Sequence, residues 1–401
     1  IVTPVPEKFG GGEGLVGKIA KKVKRKIKIR PDPSIVKPEL EARSIIESII
    51  PEEADISQIY FDGCFSEVII QCQNPGEAVG RRGANVNEIR NKTGWIPKVE
   101  RTPPIFSKSV HDVRSYRNSI ADERKKLLKD FGLNIHRPKR PSSTWVRVTA
   151  LGSYREVGRA CHLVTTNESR VMIDVGVNIA SDTDPMPYFT APEALPLEKL
   201  DAVVLTHSHL DHAGMLPVLF KYGYRGPVYC TPPTRDLMLL LQTDYIKVGG
   251  AEGKRPAYDM EDIRTCMKHV VDVDWGETTD ITPDVKLTFS NAGHILGSSA
   301  VHLHVADGKH NIVFSGDQKY EKSWLFDAAN TRFPKVETLV IESTYGASGD
   351  YQPSRQEANQ ELQDIVMRTI QRGGKMICPV FAVGRSQEVM IAIDELFRSG
   401  A

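Results

Sequence analysis

The sequence predicts a multidomain α+β protein, and three observations carry that prediction. From Thr144 onward, short apolar runs alternate with glycine-bearing turns. Residues 37–105 read as helix, strand, strand, helix, helix, strand, the size of one small domain. Between these regions, residues 106–143 are polar and basic and close on the proline-rich "HRPKRPSS", a linker signature. A chain of 401 residues has length for two or three such cores.

Bulk properties narrow the class. The apolar fraction of 40% and charged fraction of 26% are those of ordinary globular protein, which argues against a disordered or fibrous chain. The formal net charge of +1 implies no partner by itself. No apolar run has the length of a membrane span, and no signal peptide is visible, so no membrane partner is expected. Six scattered cysteines without a C-x-x-C pair fit a reduced, cytoplasmic chain. A first residue Ile1, and a last stretch "LFRSGA" that follows directly on a helical pattern, predict a fragment.

In chain order, "KPELEARSIIESI" (37–49) has helical apolar spacing, and "QIYFD" and "FSEVIIQC" read as strands across the turn at Gly63-Cys64. After Asn74-Pro75-Gly76 come a short helical piece, "GRRG" at 80–83, the helix "ANVNEIRNKTG" and the strand "WIPKVER". Residues 14–30 resemble 83–101 as helix then strand, each soon followed by proline, which suggests an internal repeat whose first copy lacks its beginning. That copy holds eight basic residues in thirteen over 18–30; a solvated basic face competes with phosphate tracking as its reading. One helix is expected over "RSYRNSIADERKKLLKDFG".

The region from Thr144 predicts strands at "WVRVTALG", "HLVTT", "RVMIDVG", "DAVVLTH", "PVYCT", "VKLTFSNAGH", "AVHLHVA", "NIVFSGD" and "TLVIEST". Helical segments interrupt them after residue 213 and near 234–246, giving two layered sheets or one large one. After Gly346 a helix is expected with Leu362, Ile365, Val366 and Thr369 on one face, ended by Gly373-Gly374. A strand "KMICPVF", the turn "AVGRSQE" and another helix complete the reading.

Chemistry concentrates at strand ends. In "VVLTHSHLDHAG" three of eleven histidines fall within six residues, at His207, His209 and His212. Extended backbone sends alternate side chains the same way, so His207 and His209 reach towards one point. Asp211 and His212 leave the following turn in another direction, which suits two metal ions. Imidazole with carboxylate fits zinc, and ligand type alone leaves manganese and iron open. Surface histidines at a polar helix cap would be the bland account, but three in six residues with an aspartate favour metal. His294 follows "KLTFSNAG" and Asp317 follows "NIVFSG", each after a small residue that admits close backbone approach. Asp174 ends "VMI" and is placed to orient an imidazole from behind. His162, His269, His302 and His304 read as structural.

"THSHLDH" resembles the H-x-H-x-D-H signature of the metallo-β-lactamase superfamily, with Asp174, His294 and Asp317 in that superfamily's order. "IESTYG" (341–346) and "PVFAVGRSQE" (379–388) resemble its nucleic-acid-processing β-CASP branch. With GRRG fitting the G-x-x-G loop of a type II KH domain, the whole chain resembles the archaeal relatives of the cleavage and polyadenylation specificity factor nuclease.

The resemblance implies a partial first KH-like domain (1–36), a second KH domain (37–105), a helical and basic linker (106–143), a metallo-β-lactamase αββα sandwich (144–345) and an incomplete β-CASP domain (346–401). It assigns His207, His209 and His294 to one Zn2+ and Asp211 and His212 to a second, with Asp317 bridging. Asp211, Asp317 and Glu342 become the catalytic residues, Glu342 being the acid that works with a later histidine to protonate the leaving oxygen. Gly80, Arg81, Arg82 and Gly83 would hold the RNA backbone; GGGEG in the first copy has no arginine to do so.

The implied activity is two-metal hydrolysis of single-stranded RNA in 3′-end formation and transcription termination. RNA polymerase and its elongation machinery, and a homodimer in the complete protein, are the implied partners. An RNA-binding scaffold with an incomplete nuclease site, and a small-molecule hydrolase such as a thioesterase, are the competing expectations.

Overall fold

Alternation builds the first core. In the computed structural model, Ile59 and Phe61 on one strand and Val68 and Ile70 on its neighbour point to the same face of a three-stranded sheet. Residues 2–4, 15–23, 29–139, 145–181 and 183–399 are described, and they fall into two units, 1–129 and 130–401.

In unit one, β1 (Val2–Thr3) and β2 (Arg30–Pro31) pair in parallel, with α1 (Leu15–Val23) between them in sequence. The GGGEG segment and residues 24–28 of the basic run lie outside the described residues. Then come α2 (Glu39–Ile49), β3 (Ile56–Asp62), β4 (Glu67–Cys72), α3 (Pro75–Val79), α4 (Ala84–Thr93) and β5 (Ile96–Arg101), the order expected of residues 37–105. β4 is central, antiparallel to β3 and parallel to β5. Ala42 and Ile46 of α2, Ala78 of α3 and Ile89 of α4 close the core, and Trp95 donates Nε1–H to the Lys37 carbonyl at 2.9 Å.

The single helix expected next is two, α5 (Lys108–Ser119) and α6 (Ala121–Ile135). Ile120 leaves helical geometry at φ −108°, ψ 20°, and α5 begins earlier, where the Ser107 hydroxyl accepts from Val110 N–H.

Among its described residues, unit two holds two sheets. The first runs through β6 (Val146–Gly152), β7 (Cys161–Thr166), β8 (Arg170–Ile173) and β9 (Ala202–Val204). After α7 (Leu210–Ala213) and α8 (Leu216–Lys221) come β10 (Val228–Cys230), α9 (Pro232–Ala251), α10 (Met260–His269) and β11 (Val270–Asp272). Spatial order follows chain order, antiparallel from β6 to β8 and parallel from β8 to β11. The second sheet is β12 (Thr278–Asp280), β13 (Val285–Asn291), β14 (Ser299–Val305), β15 (His310–Phe314) and β16 (Thr338–Val340), with only β15 and β16 parallel.

Val164, Val171, Ile173 and Val204 of the first sheet meet Leu287, Phe289, Val301, Leu303 and Phe314 of the second, so the sheets are layered and not one. Each such side chain contributes roughly 1.5–3 kcal/mol on burial. α8, α9 and α10 pack together, and α9 also meets β11. The sequence reading omitted α10; its start is a capping box between Asp259 and Asp262.

Beyond β16 lie α11 (Arg355–Gln371), with Val366 and Thr369 buried, and α12 (Arg385–Arg398). The expected strand "KMICPVF" forms no ladder among the described residues: residues 375–381 have no regular structure. Pro379 lacks a donor there, and Ile377 and Phe381 are exposed.

Candidate metal centre

The centre is built where strands end. β8 delivers Asp174, β9 delivers Thr206 and His207, the loop after β13 delivers His294, and the loop after β15 delivers Asp317. His209 precedes α7, whose single turn carries Asp211 and His212.

Two close approaches require glycine. A Cβ on Gly316 would stand 2.7 Å from Thr206 Cβ, so only a bare backbone lets the Asp317 loop pass β9's end. A Cβ on Gly176 would fall 1.6 Å from the Asp211 carbonyl oxygen. That carbonyl accepts instead from Ala160 N–H at 2.8 Å, and Val175 N–H donates to His212 O at 2.7 Å, so α7 is seated by backbone bonds.

The side chains gather into two groups that share His207: His207, His209, His294 and Asp317, and His207, Asp211 and His212. In the first, His209 Nδ1 lies 3.2 Å from His207 Nε2 and 3.2 Å from His294 Nε2. Asp317 Oδ2 lies 3.5 Å from His294 Nε2 and 3.9 Å from His207 Nε2. Donors about 2.0–2.1 Å from a tetrahedral zinc stand about 3.3–3.4 Å from one another, so this set fits such an ion. In the second group His212 Nε2 is 3.7 Å from Asp211 Oδ2, and it is also 3.1 Å from Asp317 Oδ1. Asp317 therefore presents one oxygen to each group.

Behind the donors lies a buried hydrogen-bond network. Asp174 is in the left-handed region at φ 59°, a strained state for a residue other than glycine. It is held there by Thr206 N–H to Oδ1 (2.8 Å), Thr206 Oγ1–H to Oδ2 (2.8 Å) and His212 Nδ1–H to Oδ2 (2.8 Å). Thr206 Oγ1 in turn accepts from His207 Nδ1–H at 3.0 Å. His207 thus has its proton at the back and its lone pair facing the cluster, while His212 lies between two carboxylates, Asp174 behind it and Asp317 in front. His209 is arranged the other way round: its Nδ1 faces the cluster and its Nε2–H points to the Val383 carbonyl at 3.4 Å.

Electrostatics follow from burial and neighbours. Burial pushes His207 well below its ordinary value and lowers His209, while His294 is pushed down to about 4, chiefly by burial. Three neutral imidazoles therefore converge near neutral pH. Burial opposes charge on His212 as well, but Asp317, Asp174 and Asp211 outweigh it and hold its pKa well above the usual. Burial alone would raise Asp317, yet His212 beside it keeps the carboxyl well below the usual range.

The remaining sites of the sequence reading fall elsewhere. Glu342 follows β16, half-buried; its N–H donates to Ser315 Oγ (3.1 Å), but its carboxylate accepts from Thr344 N–H (2.9 Å) and is not in the cluster. His304 bonds Thr288 Oγ1 and Asn311 Oδ1, with the buried His302 beside it, and His269 Nδ1–H donates to Thr265 O. In unit one, the GRRG turn links α3 to α4 with Gly80, Arg82 and Gly83 at positive φ, and Arg81 and Arg82 exposed. Sequence reasoning missed Thr206, Val383 and Gly176. The position of Thr206 directly before His207 was the available signal, whereas a carbonyl contact leaves none.

Comparison with known proteins places the chain in a family. Residues 154–362 match the metallo-β-lactamase superfamily. Curated relatives named transcription termination factor FttA include those of Methanosarcina mazei, 50% identical over 400 residues (100% of this chain, 63% of the relative), and Methanothermobacter thermautotrophicus, 48% over 402 (100% and 63%). The relative of that name in Thermococcus kodakarensis is 46% identical over 402 residues (98% and 62%). The chain spans about 63% of the length of the first of these relatives.

Proposed function

Because this chain belongs to the metallo-β-lactamase superfamily, we propose that it is the metal-binding part of a zinc-dependent β-CASP endoribonuclease that cleaves single-stranded RNA. The observation that carries the reading is the Asp317 carboxylate, whose Oδ1 stands 3.1 Å from His212 Nε2 and whose Oδ2 stands 3.5 Å from His294 Nε2. A carboxylate spanning two donor groups suits a pair of ions, and phosphodiester hydrolysis benefits from two.

His207, His209, His294 and Asp317 would hold one zinc, and Asp211, His212 and Asp317 the other. When bound, the ions would lower the pKa of water and stabilise charge on phosphoryl oxygens. The chain's own residues do the rest. Asp174 and Thr206 fix which imidazole nitrogens face the ions. Asp211, seated by Ala160 N–H, keeps α7 in register. Glu342, tied to the Asp317 loop through Ser315, is assigned the proton for the leaving oxygen.

In unit one we assign the KH role to residues 37–105, with Gly80 and Gly83 admitting a single-stranded backbone and Arg81 and Arg82 meeting its phosphates. The printed name shared by the relatives supports a role in transcription termination. That role would place nascent RNA and RNA polymerase among the partners, and a homodimer is proposed for the whole protein.

Zinc per chain, by elemental analysis of metal-replete protein, should be two, with cleavage of a labelled single-stranded RNA. Two zincs without cleavage would replace the nuclease reading of this chain with that of an RNA-binding scaffold. One zinc or none would remove the two-ion reading.

A further inference from the structure

Beside the histidine cluster stands a second set of charges that the metal centre does not use. Glu388, in the first turn of α12, is met by cations from three segments. Arg385 Nη1 lies 3.0 Å from Oε2, while Arg355 Nη1 and Lys319 Nζ lie 3.5 Å and 3.8 Å from Oε1. The Ser323 side chain also hydrogen-bonds to Glu388, and Glu321 acts on Lys319 from further away. The Glu388 side chain is 14% exposed, against 24%, 29% and 58% for Lys319, Arg355 and Arg385. A buried carboxylate is satisfied by one well-placed cation. Three around it leave surplus positive charge on the solvent side, and crowding like charges costs energy until an anion arrives.

The backbone places this surplus against the metal centre. Lys319 follows Asp317 by two residues, and its N–H donates to the carbonyl of Ala292, two residues before His294, at 2.9 Å. Arg385 follows Val383 by two, and Val383 O faces His209 Nε2. The Phe381 ring lies 5.9 Å from that of His209. The cations therefore border the centre on the side of His209, His294 and Asp317.

We propose that Lys319, Arg355 and Arg385 anchor a phosphate of the RNA strand flanking the bond to be cut, with Glu388 holding the three heads in register. The inference rests on the ribonuclease reading above. Two guanidiniums and an ammonium suit a phosphate: the forks give direction and the ammonium adds a point charge. A flanking phosphate exists only in a polynucleotide, so the anchor would favour RNA over an isolated diester.

The test compares Arg355→Gln with Arg385→Gln against the unsubstituted, zinc-loaded chain on two substrates, a single-stranded RNA and bis(p-nitrophenyl) phosphate. The ratio of kcat/KM for RNA to that for the small diester should fall about ten-fold or more, mainly through the KM for RNA. The log–log salt slope for RNA should shrink by about 1.4, two contacts at about 0.7 each. Zinc content should match the unsubstituted chain, and Arg385→Lys alone should keep most of the ratio.

An unchanged ratio, whether both rates hold or both fall together, would overturn the anchor and make the cluster structural. Failure of the ribonuclease reading shows separately, as an unsubstituted chain that leaves RNA intact, and the anchor then falls with it.

Discussion

The Asp174 corner and the GRRG turn each hold a residue other than glycine in left-handed backbone, Asp174 at φ 59° and Arg82 at φ 52°, yet they handle it in opposite ways. At Asp174 both carboxylate oxygens are engaged by Thr206 and His212 in a buried network, so the strain is over-determined by hydrogen bonds. At Arg82 the flanking helices impose the turn, and the side chain is left exposed with its charge open. The difference separates two ways of holding a strained backbone. A buried site is specified by the bonds behind it, and a surface site by the shape and charge it presents.

Substitution can break that contrast. The largest effect is expected from Asp211→Ala with His212→Ala, which removes two donors from the second group. RNA cleavage should fall about a thousand-fold or more while RNA affinity stays within about two-fold, since ion stabilisation of the transition state is lost and the surface is not. Surviving activity in a single-turnover assay would remove both residues from the ligand set.

A smaller effect tests the network itself. Thr206→Val keeps the volume but deletes the hydroxyl between His207 and Asp174, and zinc affinity by chelator competition should weaken about 10- to 100-fold. Equal affinity would mean that packing alone orients His207.

The smallest effect belongs to the surface: Arg81→Ala with Arg82→Ala should weaken RNA binding and cut its log–log salt slope by about 1.4. A slope identical to that of the unsubstituted chain would mean that RNA enters by another face.

The same contrast explains what was legible in the sequence. Metal-type donors announce themselves by residue type and spacing, and the structure brings His207, His209, Asp211, His212, His294 and Asp317 together as two groups. Thr206, Gly176 and the Val383 carbonyl act through a hydroxyl, a missing Cβ and a backbone oxygen, none of which is distinctive in a string of letters. Strand patterning succeeded where burial was two-sided, as in "VVL" and "NIVF". It failed at "KMICPVF", because apolar letters imply a strand only where a partner edge exists. Helix α10 escaped because its charged start masks a buried stripe of Ile263, Cys266 and Met267. Glu342 shows a further limit: a motif can place a residue beside a centre without saying which way its carboxylate points.

One imidazole links the centre to the segment that follows it. His209 has two nitrogens and both are engaged, Nδ1 with its fellow donors and Nε2 with the Val383 carbonyl, 174 residues further along the chain. A neutral ring has one proton to place, so the carbonyl that takes it at Nε2 also frees the lone pair at Nδ1. Linkage of this kind runs in both directions with equal strength. An ion drawn to Nδ1 would favour the Val383 contact, and displacing that loop would weaken the hold on the ion. Occupancy of the centre and the setting of the loop around Val383 would then form one equilibrium, read at either end.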